Sequence, residues 1–98
     1  MKVVLSEEAE RDLAEIDVWW QEHRQDAPDK FADEFIGARH EIVRKPLIPK
    51  VYAVRKGIAI RRWLMTETVK HLYYTVEDDT VIILRIWDPR REVTPKLP

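Results

Sequence analysis

The sequence predicts an α+β domain: a short N-terminal strand and an antiparallel α-helical hairpin packed on one face of a small antiparallel β-sheet. Three observations lead there. Ala9, Leu13, Ile16 and Trp20, and then Phe31, Phe35, Ala38 and Ile42, repeat the same i, i+4, i+7, i+11 spacing, which places each set on one stripe of a helix. Val69–Val76 and Val81–Trp87 are rich in β-branched and aromatic residues and flank the polar tetrapeptide Glu77-Asp78-Asp79-Thr80, the pattern of a hairpin. Only a few residues separate the two helical stretches, so they fold back on one another and both stripes need a common apolar surface.

In chain order, Val3-Val4-Leu5 is long enough for a short strand. Ser6 then stands as an N-cap, and Glu7, Glu8 and Glu10 place acidic side chains in the first turn, where the helix dipole favours them. Val18 and Trp19 widen the first apolar stripe. Asp26-Ala27-Pro28 punctuates the chain, with Pro28 at or near the first turn of the second helix. Lys45-Pro46 ends that helix, because the residue before a proline is driven out of the α region. Pro46 and Pro49 bracket a loop, Val51–Val54 forms a short strand, and Arg55-Lys56-Gly57 turns the chain into the main sheet, which opens with a strand over Ala59–Met65.

Strand alternation sorts these residues by face. Ile82, Leu84 and Ile86 form the fully apolar set of the last strand and are expected to meet the helices, joined by Leu72, Tyr74 and Val76. That leaves Val81, Ile83, Arg85 and Trp87, with His71, Tyr73 and Thr75, on an open side. The faces of Ala59–Met65 stay ambiguous, since Arg61/Trp63/Met65 and Ile60/Arg62/Leu64 are both mixed.

The chain of 98 residues makes a single domain, 1–98, able to bury about 65% of its unfolded surface without covalent staples. It contains no cysteine, which excludes disulfides, thiol nucleophiles and thiolate metal sites and suits a reducing cytosol. MKVVLSEEAERD carries too short an apolar run for a signal peptide, and no stretch approaches membrane-spanning length; a soluble cytoplasmic domain is expected. The net charge of −1 hides an asymmetry: residues 1–49 hold seven Lys/Arg against twelve Asp/Glu, and residues 50–98 hold ten against six. The helical half is acidic and the sheet half basic, so the sheet half can attract an acidic partner, nucleic acid or protein.

Several chemistries find no residues. Gly37 and Gly57 are the only glycines, which excludes a Gly-rich phosphate loop. His23, His40 and His71 do not have metal-ligand spacing, and neither a metal nor another cofactor is expected. Helix carboxylates such as Glu15, Glu22 and Glu34 read as solvated faces. What remains is a basic and aromatic group: Arg61, Arg62, His71, Tyr73, Arg85, Trp87, Arg90 and Arg91. Such a set can hold phosphates and stack bases, or anchor a protein interface; Trp63 and Trp87 can equally complete the core with arginines at its edges. Asp88, beside Arg90 and Arg91, should have a lowered pKa and serve a salt bridge or a turn rather than proton donation.

The order strand, helix hairpin, loop and antiparallel sheet, with RRWLM and KHLYYTVEDDTVIILRIWDPRR, resembles the RelE/ParE superfamily of bacterial toxins. Paired arginines, a Tyr-Tyr strand, an acidic turn and a last strand closing on Trp-x-x-Arg-Arg carry the likeness, and VVLSEEAERDLAEIDVWW is similar to that family's first strand and helix. The resemblance implies one of two activities. RelE-like members cut messenger RNA on the ribosome with basic residues and often a tyrosine near the C-terminus; ParE-like members bind and poison DNA gyrase. It also implies a cognate antitoxin that wraps the toxin in a hetero-oligomer.

Carried over residue by residue, the RelE pattern places Arg62 at a first basic strand position, Leu64 at the second, His71 where a strand arginine stands, and Arg91 after the last strand. No tyrosine follows in Glu92–Pro98. Activating a ribose 2′-hydroxyl needs a positioned base, and the scissile phosphate needs preorganised cations. The expectation is therefore a gyrase-binding toxin with Arg61, Tyr73, Arg85, Trp87, Arg90 and Arg91 as binding residues. The alternatives are a ribosome-dependent endoribonuclease using Arg62, His71 and Arg91, or an inert member that only binds its antitoxin. In each case the open face and the tail are expected to meet a partner, with an apolar and acidic antitoxin segment covering the basic half.

Overall fold

A computed structural model describes residues 1–98. The elements are β1 (Lys2–Leu5), α1 (Glu7–His23), α2 (Lys30–Arg44), β2 (Val51–Arg55), β3 (Ile58–Met65), β4 (Lys70–Glu77) and β5 (Thr80–Trp87). One sheet in the order β1-β5-β4-β3-β2 carries both helices on the same face. The expected α+β arrangement is present, with one difference: β1 runs parallel to β5, Lys2 opposite Thr80 and Leu5 opposite Ile83. Local turns cannot reveal that pair, because its members lie at opposite ends of the chain.

Both helical stripes are buried as their spacing requires. Ala9 and Trp20 of α1 join Phe31, Phe35, Ala38 and Ile42 of α2 over Met65, Leu72, Tyr74, Val81, Ile83 and Ile86. Ser6 caps α1 by accepting the Ala9 N–H at 3.1 Å. Its hydroxyl also donates to the Leu84 carbonyl at 2.9 Å, tying the helix start to β5.

The expected faces of β5 are corrected. Val81 and Ile83 enter the main core, while Ile82 and Leu84 lie against the opposite cluster with Ile60, Tyr73 and Trp87. Tyr74 pairs with Ile83 and Tyr73 with Arg85, so Leu84 is an extra residue in the β4–β5 ladder. This bulge reverses the alternation: odd positions face the helices before it, and Ile86 faces them after it. Its loose polar groups are taken up by α1. Beyond the Ser6 N–H bond to the Ile83 carbonyl, Ser6 takes the Leu84 carbonyl, and Asp12 Oδ2 accepts the Ile86 N–H at 3.0 Å. In β4, Leu72, Tyr74 and Val76 face the helices as expected. Arg61, Trp63 and Met65 share that side, leaving Ile60, Arg62 and Leu64 on the back.

The back of the sheet is not bare. The C-terminal tail recrosses it, Leu97 packing on Ile60, Tyr73, Leu84 and Trp87, while the Trp87 indole donates to the Val93 carbonyl at 3.0 Å. Tyr73 and Thr75, expected to be open, are consequently only 3% and 6% exposed.

The turns carry the remaining constraints. Lys56 and Gly57 both have positive φ, 53° and 78°, as a two-residue hairpin between antiparallel strands demands. Val69, before β4, takes φ 57°, a costly conformation for a β-branched residue. Glu34 of α2 holds this turn: its carboxylate accepts from the Glu67 N–H (2.7 Å), the Thr68 N–H (2.8 Å) and the Thr68 hydroxyl (2.6 Å). Glu34 is thus a clamp between helix and sheet, not the solvated carboxylate its helical position suggested.

Candidate binding face

The candidate residues separate into those tied up inside the fold and those presented to solvent. Arg61 points to the helix side and donates to the Leu47 and Pro49 carbonyls, pinning the loop before β2 beside the Tyr74 hydroxyl, which donates to the Pro46 carbonyl at 2.7 Å. Burial pushes the Tyr74 phenol up to about 12. Arg85, at the bulge, gives Nε to Asp12 Oδ2 at 2.7 Å and Nη2 to Oδ1 at 3.0 Å. That bidentate bond raises the arginine further and leaves it one face, over Trp87 at 4.9 Å.

Arg90 is bound to Asp88 through its backbone N–H (2.9 Å), Nε (3.0 Å) and Nη2 (2.9 Å). These bonds, working against partial burial, pull the Asp88 carboxyl down to about 2. The lowered value and the turn role agree with the reading of the sequence, although the cause is Arg90 and Lys70 without Arg91. Lys70 itself is almost enclosed: its Nζ donates to the Thr68 carbonyl at 3.0 Å and lies 3.8 Å from Asp88. Burial outweighs Asp88 and lowers its pKa.

The presented set lies on the back of the sheet. Arg62 is exposed, with Cζ 4.8 Å from the centre of the Tyr52 ring. Tyr52 in turn meets the buried Tyr73 ring edge-on at 5.0 Å. Burial pushes the Tyr73 phenol up despite the nearby Arg62 charge, so it stays protonated at neutral pH. His71 follows on β4, its ring 6.2 Å from that of Tyr73, with Leu64 of β3 and Trp87 of β5 opposite it in register. Arg91 closes the row from the tail, its Cζ 3.9 Å from the centre of the Trp87 ring. Burial first and the Arg62 charge second lower the pKa of His71, against a pull from Asp88. The imidazole is neutral at pH 7 and makes no hydrogen bond to another protein group.

Chemically, this face offers two guanidinium groups held over aromatic rings, with a neutral imidazole on the same side. It is preorganised to hold anionic or aromatic groups of a macromolecule. No group of three or more His, Asp or Glu side chains converges to hold a metal. A depression of about 800 Å³ lies between α2 and the end of β3; Asp33, Glu34, Glu41 and Glu67 line it, and none of the candidate cations does. No helix is long and apolar enough to cross a membrane. Sequence reasoning overlooked Tyr52, the platform under Arg62. Its signal was an aromatic residue inside the short Val51–Val54 strand.

The model of a family described as ParE toxin of type II toxin-antitoxin system, parDE, fits residues 3–93. No curated protein matches the chain.

Proposed function

Since this chain belongs to the ParE toxin family of type II toxin–antitoxin systems, we propose that it arrests growth by binding and poisoning DNA gyrase in the cytoplasm. Membership also implies a cognate antitoxin as its partner. The observation that carries the reading is the form of the back face. Arg62 and Arg91 are laid on Tyr52 and Trp87 as contact groups, while no acid–base pair is assembled. Leu64 fills the place across from His71, and the Tyr73 phenol is buried and protonated. In this reading Arg62 and Arg91 form the centre of the contact and Arg90 its rim, with the buried Trp87 as the platform under Arg91. Arg61, Tyr73 and Arg85 support it from within.

Purified protein added to gyrase and supercoiled plasmid tests the proposal. The expected result is linear DNA trapped with covalently attached gyrase, together with a DNA-damage response when the protein is expressed without its antitoxin. Unaltered gyrase turnover with no trapped DNA would overturn it.

A second reading, a ribosome-dependent endoribonuclease, is favoured by one observation: Arg62 and a neutral His71 share a face with Arg91. Cuts within codons of a ribosome-bound reporter mRNA, abolished by His71→Ala, would select it. Normal growth with neither outcome leaves an inert member that binds only its antitoxin.

A further inference from the structure

One buried donor inside the fold has no partner. Trp20 of α1 is 7% exposed, and its Nε1–H meets no protein acceptor. Buried indole N–H groups are ordinarily paired, because an unmatched one costs free energy. Lys70 of β4, 6% exposed, lines the same pocket, a cavity of about 230 Å³ between α1 and the sheet. Ile16 and Trp19 wall it from α1, and Asp88 and Arg90 close it from the turn after β5. Asp17 Oδ1, which has no donor, lies outside this lining.

The pocket has donors to spare and no acceptors inside. One ammonium proton of Lys70 goes to the Thr68 carbonyl at 3.0 Å; Asp88 Oδ2, at 3.8 Å, is too far for a hydrogen bond. Arg90 spends Nε and Nη2 on Asp88, which leaves Nη1 and occupies both carboxylate oxygens. Glu15, the other carboxylate of the lining, is exposed. A guest can therefore meet N–H groups of Trp20, Lys70 and Arg90, and it must bring the acceptor atoms. Burial lowers the pKa of Lys70, so its ammonium form gains from a further negative charge beside it. Since a cavity of about 150 Å³ holds a benzene ring, this one has room for a ring and about three more heavy atoms.

We infer that this pocket binds a small aromatic carboxylate, its oxygens on the Trp20 N–H and the Lys70 ammonium and its ring against Ile16 and Trp19. The spare Nη1 of Arg90 is within the lining to share the charge. Such a guest combines what an enclosed ligand site rewards, an apolar body and a few placed polar contacts. A cationic guest finds no free acceptor inside. Inorganic phosphate would reach the donors but leave the Ile16 and Trp19 wall uncovered. A purely apolar guest would fill the space and leave the Trp20 donor unmatched. The inference does not rest on gyrase as the target, since occupancy of the pocket is read on the chain alone.

The test titrates the full chain with phenylacetate and follows the indole N–H signals by NMR, the Trp20 signal being assigned with Trp20→Phe. Saturable binding is expected, with the Trp20 signal moving downfield and that of Trp87 unmoved. Phenylacetamide has the same shape without the charge, and it is expected to bind the unaltered protein at least about tenfold more weakly. Lys70→Met should weaken phenylacetate by a similar factor; the amide comparison needs no variant and stands even if this one fails to fold. Any of these results overturns the inference: no saturable shift at Trp20, equal binding of phenylacetamide, undiminished binding by a folded Lys70→Met, displacement by an equal concentration of inorganic phosphate, or shifts confined to Trp87 beside Arg91.

Discussion

Arg85 Nε lies 2.7 Å from Asp12 Oδ2, and the same oxygen accepts the Ile86 N–H at 3.0 Å. One carboxylate of α1 therefore neutralises the arginine at the bulge and caps the backbone just after it. With side chains only 11% and 18% exposed, neither partner has water as a ready substitute. Asp12→Ala should lower unfolding free energy by about 3 kcal/mol, because it strands both a guanidinium and an N–H. Arg85→Met should cost less, since Asp12 keeps the Ile86 N–H. Urea denaturation of the two variants checks the order.

Glu34 makes three short bonds to the turn that holds Val69 at positive φ. Glu34→Ala should destabilise the fold by about 2 kcal/mol. Val69→Gly relieves the strained φ and should recover part of that loss. Thermal melts of the single and double variants measure the recovery; no recovery would show that the left-handed Val69 is not a source of strain.

Removing residues 93–98 should uncover the back-face cluster. The truncation deletes the Val93 carbonyl that Trp87 uses, and Leu97 with it. A loss of about 2 kcal/mol is expected, with a red shift of tryptophan emission and new binding of a hydrophobic dye. Unchanged emission would mean that Trp87 is covered by other means.

His71 reports on the binding face by its titration. Its pKa sits below the ordinary 6.5, through burial and then Arg62. As pH falls through 6.5 the unfolded chain takes up the proton first, so stability drops from there to the lower folded value and then levels. Arg62→Gln removes the second cause and should move the NMR titration of His71 upward, shrinking that drop. A titration that does not move would separate the two side chains.

Every helix and strand was legible in the sequence, because each follows from a local period or a local turn. Ser6, the Phe31–Ile42 stripe and the Glu77–Thr80 turn act within a few residues of themselves. What stayed hidden depends on distant partners. The extra residue at Leu84 is held by Ser6 and Asp12, more than seventy residues away, so strand alternation alone assigned Ile82 and Leu84 to the wrong side. Glu34 looked solvated because its partners, Glu67 and Thr68, belong to a turn more than thirty residues on. The candidate face was legible as a composition of arginines and aromatics but not as a geometry. Arg61 and Arg62 are neighbours in sequence, yet one anchors a loop and the other stands on Tyr52.

The parallel pairing of β1 with β5 bears on how the molecule comes into being. Lys2–Leu5 has no strand partner until Thr80–Ile83 exists, and α1 rests chiefly along that same late strand. During synthesis, then, most of the polypeptide must emerge before its first strand can join the sheet, and the finished shape arrives in one late step. A chain released prematurely before Thr80 lacks the strand that joins β1 to the rest of the sheet, and with it Trp87 and Arg91. Such a fragment would be a target for proteolysis rather than a weakened form of the whole.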